Sequence, residues 1–505
     1  MTLDAEAFNQ VPVGGRPSGF YPEVDGSLAG MFSQNQVALI VGQKLGTGTA
    51  VAGVPVLVSG DGSAADGLFG SGSMLAGMVA AFRKNNLTTT LWVNPLDDNA
   101  VGVAATLDIT VTGAATAAGT LNVYFGLDRV QVAVANGDTA ATVATALNAA
   151  INATVGLAVT SVVALAVVTV TFRHKGEVGN DVQIALNRRG ALGGEITPAG
   201  IAMTIPGDGR LSAGASNPDQ TPAIAAIGDD EYDFIVHPFT DATSLDAWDA
   251  EMDRQWGPLA QTYGTYWTAL SGSVSALQTT GIARNGKYGS GCGVFDAPGP
   301  AYLRAARYGS VSAQALANHP ARPLHTLILA GELVPDPADR FAWTDRNTLL
   351  YAGISTLKEV GGQLTIDRAI TFYQKNASGV ADTAFLDVTT PATVRRIIRE
   401  IRFLVHTNFI ARRCVLVADT TPIGEGVPHA TPAMIKSLVM GHYDRLQRLG
   451  LVERKDLFEA LFAVNVDATD PTRINMLYTP DLANPLITFA TKVQFSLQWP
   501  ENLVG

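Results

Sequence analysis

The C-terminal segment, residues 486–505, places the strongest constraint on the fold of this chain. Between residues 487 and 499 apolar and polar side chains alternate almost without interruption. The residues of the apolar face are Ile487, Phe489, Val493, Phe495, Leu497 and Trp499. A period of two residues is typical of a strand with one buried face. No short turn and matching alternating run precede this segment, so it needs a sheet supplied by a distant strand of the chain or by another subunit.

The N-terminal segment, residues 1–25, is also extended in character. Three prolines and three glycines fall between residues 12 and 22, which excludes a helix and interrupts any central strand. Two interpretations remain open: a disordered tail, or an arm that becomes ordered against a neighbouring molecule. In the second interpretation Val11, Val13 and Phe20 are the residues that contact the neighbour.

Strands and helices alternate in two separate parts of the chain. VALIVG from Val37 predicts a short buried strand, an amphipathic helix follows near residue 70, and LWVNPL predicts the next strand. The same alternation resumes at residues 232–239 and continues through TYWTAL and GCGVFD. We therefore predict one α/β domain formed by residues 26–100 and 207–345.

Residues 101–206 differ in composition from the flanking segments, because Ala, Thr and Val dominate and aromatic residues are scarce. This composition predicts a β-rich module inserted into the α/β domain. Residues 155–172 carry no charge over about the length of a membrane-spanning helix. Their β-branched residues and interspersed threonines favour two buried strands instead.

The last third of the chain predicts an α+β domain over residues 346–485. Its first helix begins near Thr390, and the sequence places Arg395, Arg399 and Arg402 on an exposed face of it. Together with Lys436 these arginines either face a partner molecule or form an ordinary solvated surface. The predicted fold class is therefore multidomain, α/β and α+β, with an inserted β-rich module and extended terminal arms.

The composition and net charge restrict the kinds of molecule that this chain is expected to bind. Charged residues make up 16% of the chain, against about a quarter in ordinary soluble domains, which suits a subunit that hides much of its surface in a polymer. The net charge of −11 disfavours nucleic acid and anionic lipid as main partners. Only two cysteines occur and the N-terminus lacks the pattern of a signal peptide, so we expect folding in a reducing cytoplasm.

Motifs that resemble catalytic sites are incomplete. GIARNGKY, residues 281–288, has the glycine and lysine spacing of a phosphate-binding loop, but Tyr288 stands where Ser or Thr must hold magnesium. Cys292 lies in SGCG without the local signature of a nucleophile, and the histidines show no metal-binding spacing. We therefore expect neither an enzyme, nor a cofactor, nor a metal.

The order of several motifs resembles the Mu-type contractile tail sheath proteins. These motifs are FGSGSMLAGMVAAFRKNN followed by LWVNPL, then residues 346–388 beginning RNTLLYAGISTLKEV, the arginine-rich helix, and residues 470–497 beginning DPTRINMLYTPDLANP. The resemblance covers most of the chain and is weakest in residues 101–206. Another self-assembling virion protein, such as a tail tube or capsid-associated subunit, and more distantly a hydrolase, are the alternatives.

The resemblance implies a homo-oligomer: a helical stack of hexameric rings around an inner tube, which contracts to drive the tube through the host envelope during genome delivery. It implies that the terminal arms join sheets of neighbouring subunits and that the C-terminal domain faces the tube. The implied partners are the tail tube, baseplate and tail terminator proteins, with no nucleic acid and no membrane insertion. The implied location is the virion tail, after assembly in the bacterial cytoplasm.

Overall fold

The first part of the α/β domain is formed around a strand that is buried on both faces. The computed structural model describes residues 36–424, 426–495 and 497. The elements are β1 Val37–Gln43, β2 Val56–Leu57, α1 Ala65–Phe69, α2 Met74–Arg83 and β3 Thr90–Leu96. Helix α2 begins where the Ser73 side chain accepts a hydrogen bond from the Ala76 amide, 3.0 Å away. Strands β1 and β3 pair in parallel, as the alternation of strand, helix and strand predicts.

The inserted module follows β3 and has two sheets of its own. Its elements are β4 Ala104–Gly113, β5 Gly119–Phe125, β6 Asp128–Val134, α3 Ala140–Ala153, β7 Val159–Ala164, β8 Val167–Lys175, β9 Ile184–Leu186 and β10 Ile201–Thr204. The sheet orders are β10-β4-β8-β7 and β6-β5-β9. Strands β7 and β8 form an antiparallel pair from the uncharged stretch at residues 155–172. Among the described residues no helix has the length and hydropathy to cross a bilayer.

The α/β domain resumes after the module and adds most of its strands. The elements are α4 Thr221–Ile227, β11 Phe234–Val236, α5 Ala242–Gln255, β12 Thr265–Ser271, α6 Val274–Ile282, β13 Gly289–Val294, α7 Ala301–Asn318, α8 Trp343–Tyr351, β14 Ser355–Val360 and β15 Gln363–Arg368. The eight strands of the main sheet have the order β15-β14-β13-β12-β11-β1-β3-β2. Six of them are parallel, and antiparallel β15 and β2 lie at the two edges.

The predicted domain boundary at residue 345 is wrong. Strand β14 pairs in parallel with β13 through Cys292 and Ser355, and β15 folds back on β14. The main sheet therefore extends to residue 368, and the start of the predicted C-terminal domain belongs to it. A long connection that contains α7 and α8 separates the β14–β15 hairpin from β13 in the sequence. The local sequence of such a hairpin does not show which sheet it joins.

The C-terminal unit begins with a helix that starts near the predicted position. Its elements are α9 Thr389–Val405, β16 Val415–Leu416, β17 His429–Ala430, α10 Pro432–Arg448, β18 Val452–Glu453, α11 Lys455–Leu461, β19 Ala463–Val466, β20 Ile474–Leu477 and β21 Asp481–Leu482. A π-helical turn, His406–Ile410, continues α9. The Thr431 side chain caps α10, as the Thr-Pro pair predicts.

Of the three apolar cores among the described residues, one spans the α/β domain and the module, and another lies within the α/β domain. One core is continuous from α2 and α7 on the main sheet into the module, where Phe172 packs near Tyr302 at 6.0 Å between ring centroids. A second core covers the opposite face of the sheet. The third core lies in the C-terminal unit and is formed mainly by α9, α10 and α11. The module is thus packed as part of the α/β domain, whereas the C-terminal unit has a core of its own.

Candidate assembly surfaces

The C-terminal segment leaves its own unit after β21. The Ala483 amide donates a hydrogen bond to the Leu451 carbonyl at 3.0 Å, and the His325 ring lies 3.3 Å from the Leu486 carbonyl. From residue 487 onward the described residues contain no strand and no hydrogen bond to the rest of the chain. Within the described part of the subunit the predicted strand does not form, because a strand requires a partner and none of the described strands lies beside this segment.

The apolar face of this segment is exposed. Phe489 is 84% exposed, Val493 80%, Phe495 84% and Leu497 97%. Ile487 is half-buried, and Trp499 lies outside the described residues. Several exposed apolar side chains on one short segment mark an interaction site. The described side chains are thus free to enter another molecule.

A short hairpin in the same unit has edges that can accept a strand. Strands β19 and β20 pair from Ala463 with Leu477 to Val466 with Ile474 and form a two-stranded sheet. Val464 is buried in the third core, while Asn465 points outward. An isolated hairpin is marginally stable in water, so added strands would stabilise it. Sequence reasoning missed this hairpin, although the apolar runs AVNV and INML around DATDPT were the signal.

The three arginines of α9 that the sequence predicts on one face, Arg395, Arg399 and Arg402, do not form an exposed face. Arg395 and Arg399 are buried, with 1% and 3% of their side chains exposed. The Arg399 guanidinium donates to Asp233 Oδ1 at 2.5 Å and to the Thr262 carbonyl at 2.7 Å. Burial lowers the pKa of Arg395 to about 10, with the nearby Asp233 carboxylate opposing the shift, so it stays charged at neutral pH. Both arginines hold α9 against the α/β domain.

Arg402 and Lys436 remain near the surface. The Arg402 side chain is 41% exposed and pairs with Glu231 at 2.6 Å, and it also donates to the Gln261 carbonyl at 3.0 Å. Lys436 is half-buried on α10. The predicted N-terminal contact residues Val11, Val13 and Phe20 lie outside the described residues. Glu231 and Asp233 were not predicted as partners, although the acidic run Asp229–Glu231 in front of β11 was the available signal.

The module packs over the place where doubly wound α/β folds bind ligands. That place is the crevice at the carboxyl ends of the strands beside the switch in strand order, here next to β1. The buried Gln43 amide at the end of β1 donates to the Lys175 carbonyl and to Asp98, each at 2.7 Å. The His174 ring, also buried, lies 2.9 Å from Asp98 and accepts from the Met74 amide at 3.0 Å. These contacts join the module to the sheet.

The remaining catalytic look-alikes also have structural roles. GIARNGKY follows the C-terminal end of α6, whereas a phosphate loop precedes a helix N-terminus, where the dipole favours an anion. Burial raises the pKa of Cys292 to about 12, so its sulfur is an un-ionised thiol in the sheet. A polar cavity of about 460 Å³ lies beside the module, where Arg210 pairs with Asp181 and Asp296 at 2.9 Å each. The described residues contain no cluster of side chains suited to a metal ion.

Comparisons with known proteins give consistent similarities. The family described as the phage tail sheath protein central domain matches residues 213–372. The chain is 37% identical over 494 residues to the Mu-like prophage FluMu tail sheath protein of Haemophilus influenzae, covering 97% of this chain and 99% of the relative.

Two solved structures show a more distant likeness. A sheath tail protein from Desulfitobacterium hafniense is 12% identical, with 93% of this chain and all of that chain covered, at a TM-score of 0.47. The helical sheath of the anti-feeding prophage in the contracted state is also 12% identical, with 96% and 100% covered, at a TM-score of 0.47. At these values neither structure assigns contacts to this chain.

Proposed function

The chain belongs to the phage tail sheath family, and we propose that its two terminal segments are strands exchanged between neighbouring subunits of the sheath. A subunit of a contractile tail sheath is a structural protein, and the nearly full-length match to a sheath protein sets the tail tube and capsid alternatives aside. The observation that supports the exchange is the exposed apolar face at residues 487–497.

The donor strand is the alternating C-terminal segment. Strand addition uses main-chain hydrogen bonds for affinity and alternate side chains for register. Each hydrogen bond contributes about 0.5–1.5 kcal/mol net, and each buried apolar side chain about 1.5–3 kcal/mol before the entropy of ordering is subtracted. Because the segment has no partner in its own described subunit, this free energy is available to an intermolecular contact.

The acceptor we propose is the β19–β20 hairpin of a neighbour. Among the small sheets of the C-terminal unit it has the longest pairing, four residues on each strand. Its position on the third core provides a rigid base, since Val464 is buried there and α10 packs beneath it. An N-terminal arm that includes Val11, Val13 and Phe20 would take the other edge of the same hairpin.

The exchanged strands would keep subunits connected while the polymer changes length. We propose a sixfold helical polymer around a tail tube, ending at baseplate and tail terminator proteins and assembled in the bacterial cytoplasm before it forms part of the virion tail. Head-to-tail contacts that do not close give an open helix. Contraction would then be a rigid-body change between two packings of the same subunits, with the strand links intact.

Deletion of each arm tests the exchange. Removal of residues 1–20 or 486–505 should leave the thermal unfolding transition unchanged and abolish long polymers in electron micrographs. A matched control keeps residues 486–505 at the same composition and length but scrambles the alternation, and it should fail in the same way as the deletion. Normal polymers from both deletions would disprove the proposal.

As a separate proposal, Lys436 and Arg402 contact the tube. Arg395 and Arg399 do not contact it, because both are buried within the subunit. Lys436→Glu should weaken co-sedimentation of the sheath with an acidic tube while polymers without tube still form. Equal co-sedimentation of the variant and the wild type would remove Lys436 from the tube contact.

A further inference from the structure

One buried carboxylate, that of Asp233, lies where three parts of the subunit meet. Asp233 immediately precedes β11 in the main sheet and is 1% exposed. Its backbone belongs to the α/β domain, where its carbonyl accepts from the Thr265 amide at 3.0 Å and from the Thr265 hydroxyl at 2.8 Å. Both oxygens of its carboxylate are directed away from this contact, toward two different segments.

The first segment is the start of β1, at Val37. The Val37 amide donates to Asp233 Oδ2 at 2.8 Å, and the Asp233 amide donates to the Val37 carbonyl, also at 2.8 Å. Val37 is the first residue of β1, one residue after the described chain begins. This pair of hydrogen bonds fixes the backbone at the start of β1.

The second segment is α9, the first helix of the C-terminal unit. The Arg399 guanidinium donates to Asp233 Oδ1 at 2.5 Å, and Arg395 Nε lies 3.5 Å from the same oxygen. Arg395 also donates to the Asp233 carbonyl at 2.8 Å, with its guanidinium 4.8 Å from the centroid of the Phe234 ring. A buried carboxylate shared in this way moves with its cationic partners, because separation would leave charges uncompensated.

We propose that Asp233 is a positioning residue that couples α9 to the start of β1: a displacement of α9 changes the hydrogen bonding of Val37. The mechanism is rotation of one carboxylate between two partners. If Arg399 withdraws, Oδ1 turns toward Arg395 and Oδ2 leaves the Val37 amide. This coupling goes beyond strand exchange and exists in the isolated subunit.

Amide hydrogen exchange on the unpolymerised full-length chain tests the coupling. The readout is the exchange rate of the Val37 amide divided by that of the Ile40 amide, which lies inside β1 and reports opening of the whole strand. Arg399→Ala should raise this ratio roughly 10- to 100-fold, the range set by loss of a charge-assisted hydrogen bond. Arg399→Lys, which keeps the charge but loses the two-pronged geometry, should raise it less.

The matched control is Arg402→Gln on the same helix. It removes the partly exposed bond to Glu231, a residue that also lies 3.3 Å from Arg399, and leaves the contacts of Asp233 in place, so the ratio should stay within about twofold of the wild type. An unchanged ratio in both Arg399 variants, or an equal rise in Arg402→Gln, overturns the coupling. Because no polymer is involved, failure of this test is distinguishable from failure of strand exchange.

Discussion

Alanine substitution of Phe489 and Phe495 separates assembly from subunit stability. Both side chains are 84% exposed in the subunit, so their removal takes away almost no intramolecular contact. We therefore expect the unfolding midpoint of each variant to match the wild type, because surface substitutions away from special features change stability by less than about 0.5 kcal/mol. Polymerisation should respond strongly, since the proposed strand exchange buries the same rings in the hairpin of a neighbouring subunit.

The size of the effect follows from burial of a phenyl ring. Transfer of an exposed aromatic side chain into an interface core contributes about 2 kcal/mol, which corresponds to about a 30-fold change in a dissociation constant. Each single variant should thus raise the critical concentration for polymerisation by about 30-fold. The two positions are six residues apart on one face of a strand, so their effects should nearly add and the double variant should approach a 1000-fold increase.

Sedimentation of polymer at a series of subunit concentrations measures the critical concentration, and thermal unfolding of unpolymerised subunit measures stability. Gln494→Ala, on the opposite face of the same segment, should change neither quantity. Phe458→Ala should lower subunit stability by about 3–5 kcal/mol, because that ring is buried and stacked on Tyr443 at 3.9 Å. The reasoning is refuted if the C-terminal variants melt early, or if they polymerise at the wild-type concentration.

Two further predictions concern buried charge in the α/β domain. Glu332→Gln should lower the free energy of unfolding in urea by on the order of 3–5 kcal/mol, because this carboxylate lies 2.5 Å from Arg307 and 3.3 Å from Arg304 and all three are buried. As a control, Glu359→Gln, which breaks a partly exposed ion pair with Arg340, should lower the free energy of unfolding by less than about 1 kcal/mol. Burial raises the pKa of Asp249 from 3.8 to about 6, so the folded state binds the proton of this carboxyl group more tightly than the unfolded state does. The contribution of this proton to the free energy of unfolding is fully present below about pH 4 and is lost as pH rises through 6. Asp249→Asn should therefore gain on the order of 1–3 kcal/mol over the wild type between pH 4 and pH 8, and parallel pH profiles would contradict it.

The alternation of strands and helices in the α/β domain was predictable from local pattern. The runs around β1, β3, β11 and β12 are apolar, short and bounded by turn residues, which is how strands buried on both faces read in a sequence. The same logic correctly divided residues 155–172 into two strands, because Val and Thr alternate there at a period of two. These signals depend only on neighbours in the chain.

The burial of Arg395 and Arg399 on α9 was not predictable from local pattern. The helix pattern places Arg395 and Arg399 opposite an apolar stripe, and a charged stripe normally faces water. Here both faces of the helix are covered, since Ile397 packs into the third core and the arginines meet Asp233 from a segment more than 160 residues away. An ion pair at that separation leaves no periodic trace, and only the tertiary fold brings its members together.

The arrangement of the cores indicates where this subunit can change shape. The module shares a continuous apolar core with the main sheet, and the buried His174 and Gln43 side chains join the two, so separating them would expose apolar surface and unpaired polar groups. The C-terminal unit has its own core, and α9 crosses to it from Ala392 in the first core to Ile397 and Ile401 in the third. A shift at this crossing exchanges hydrogen bonds and ion pairs to Asp233, and directional polar contacts exchange between discrete arrangements more readily than a close-packed core deforms. We therefore infer that rearrangement during contraction is accommodated at α9.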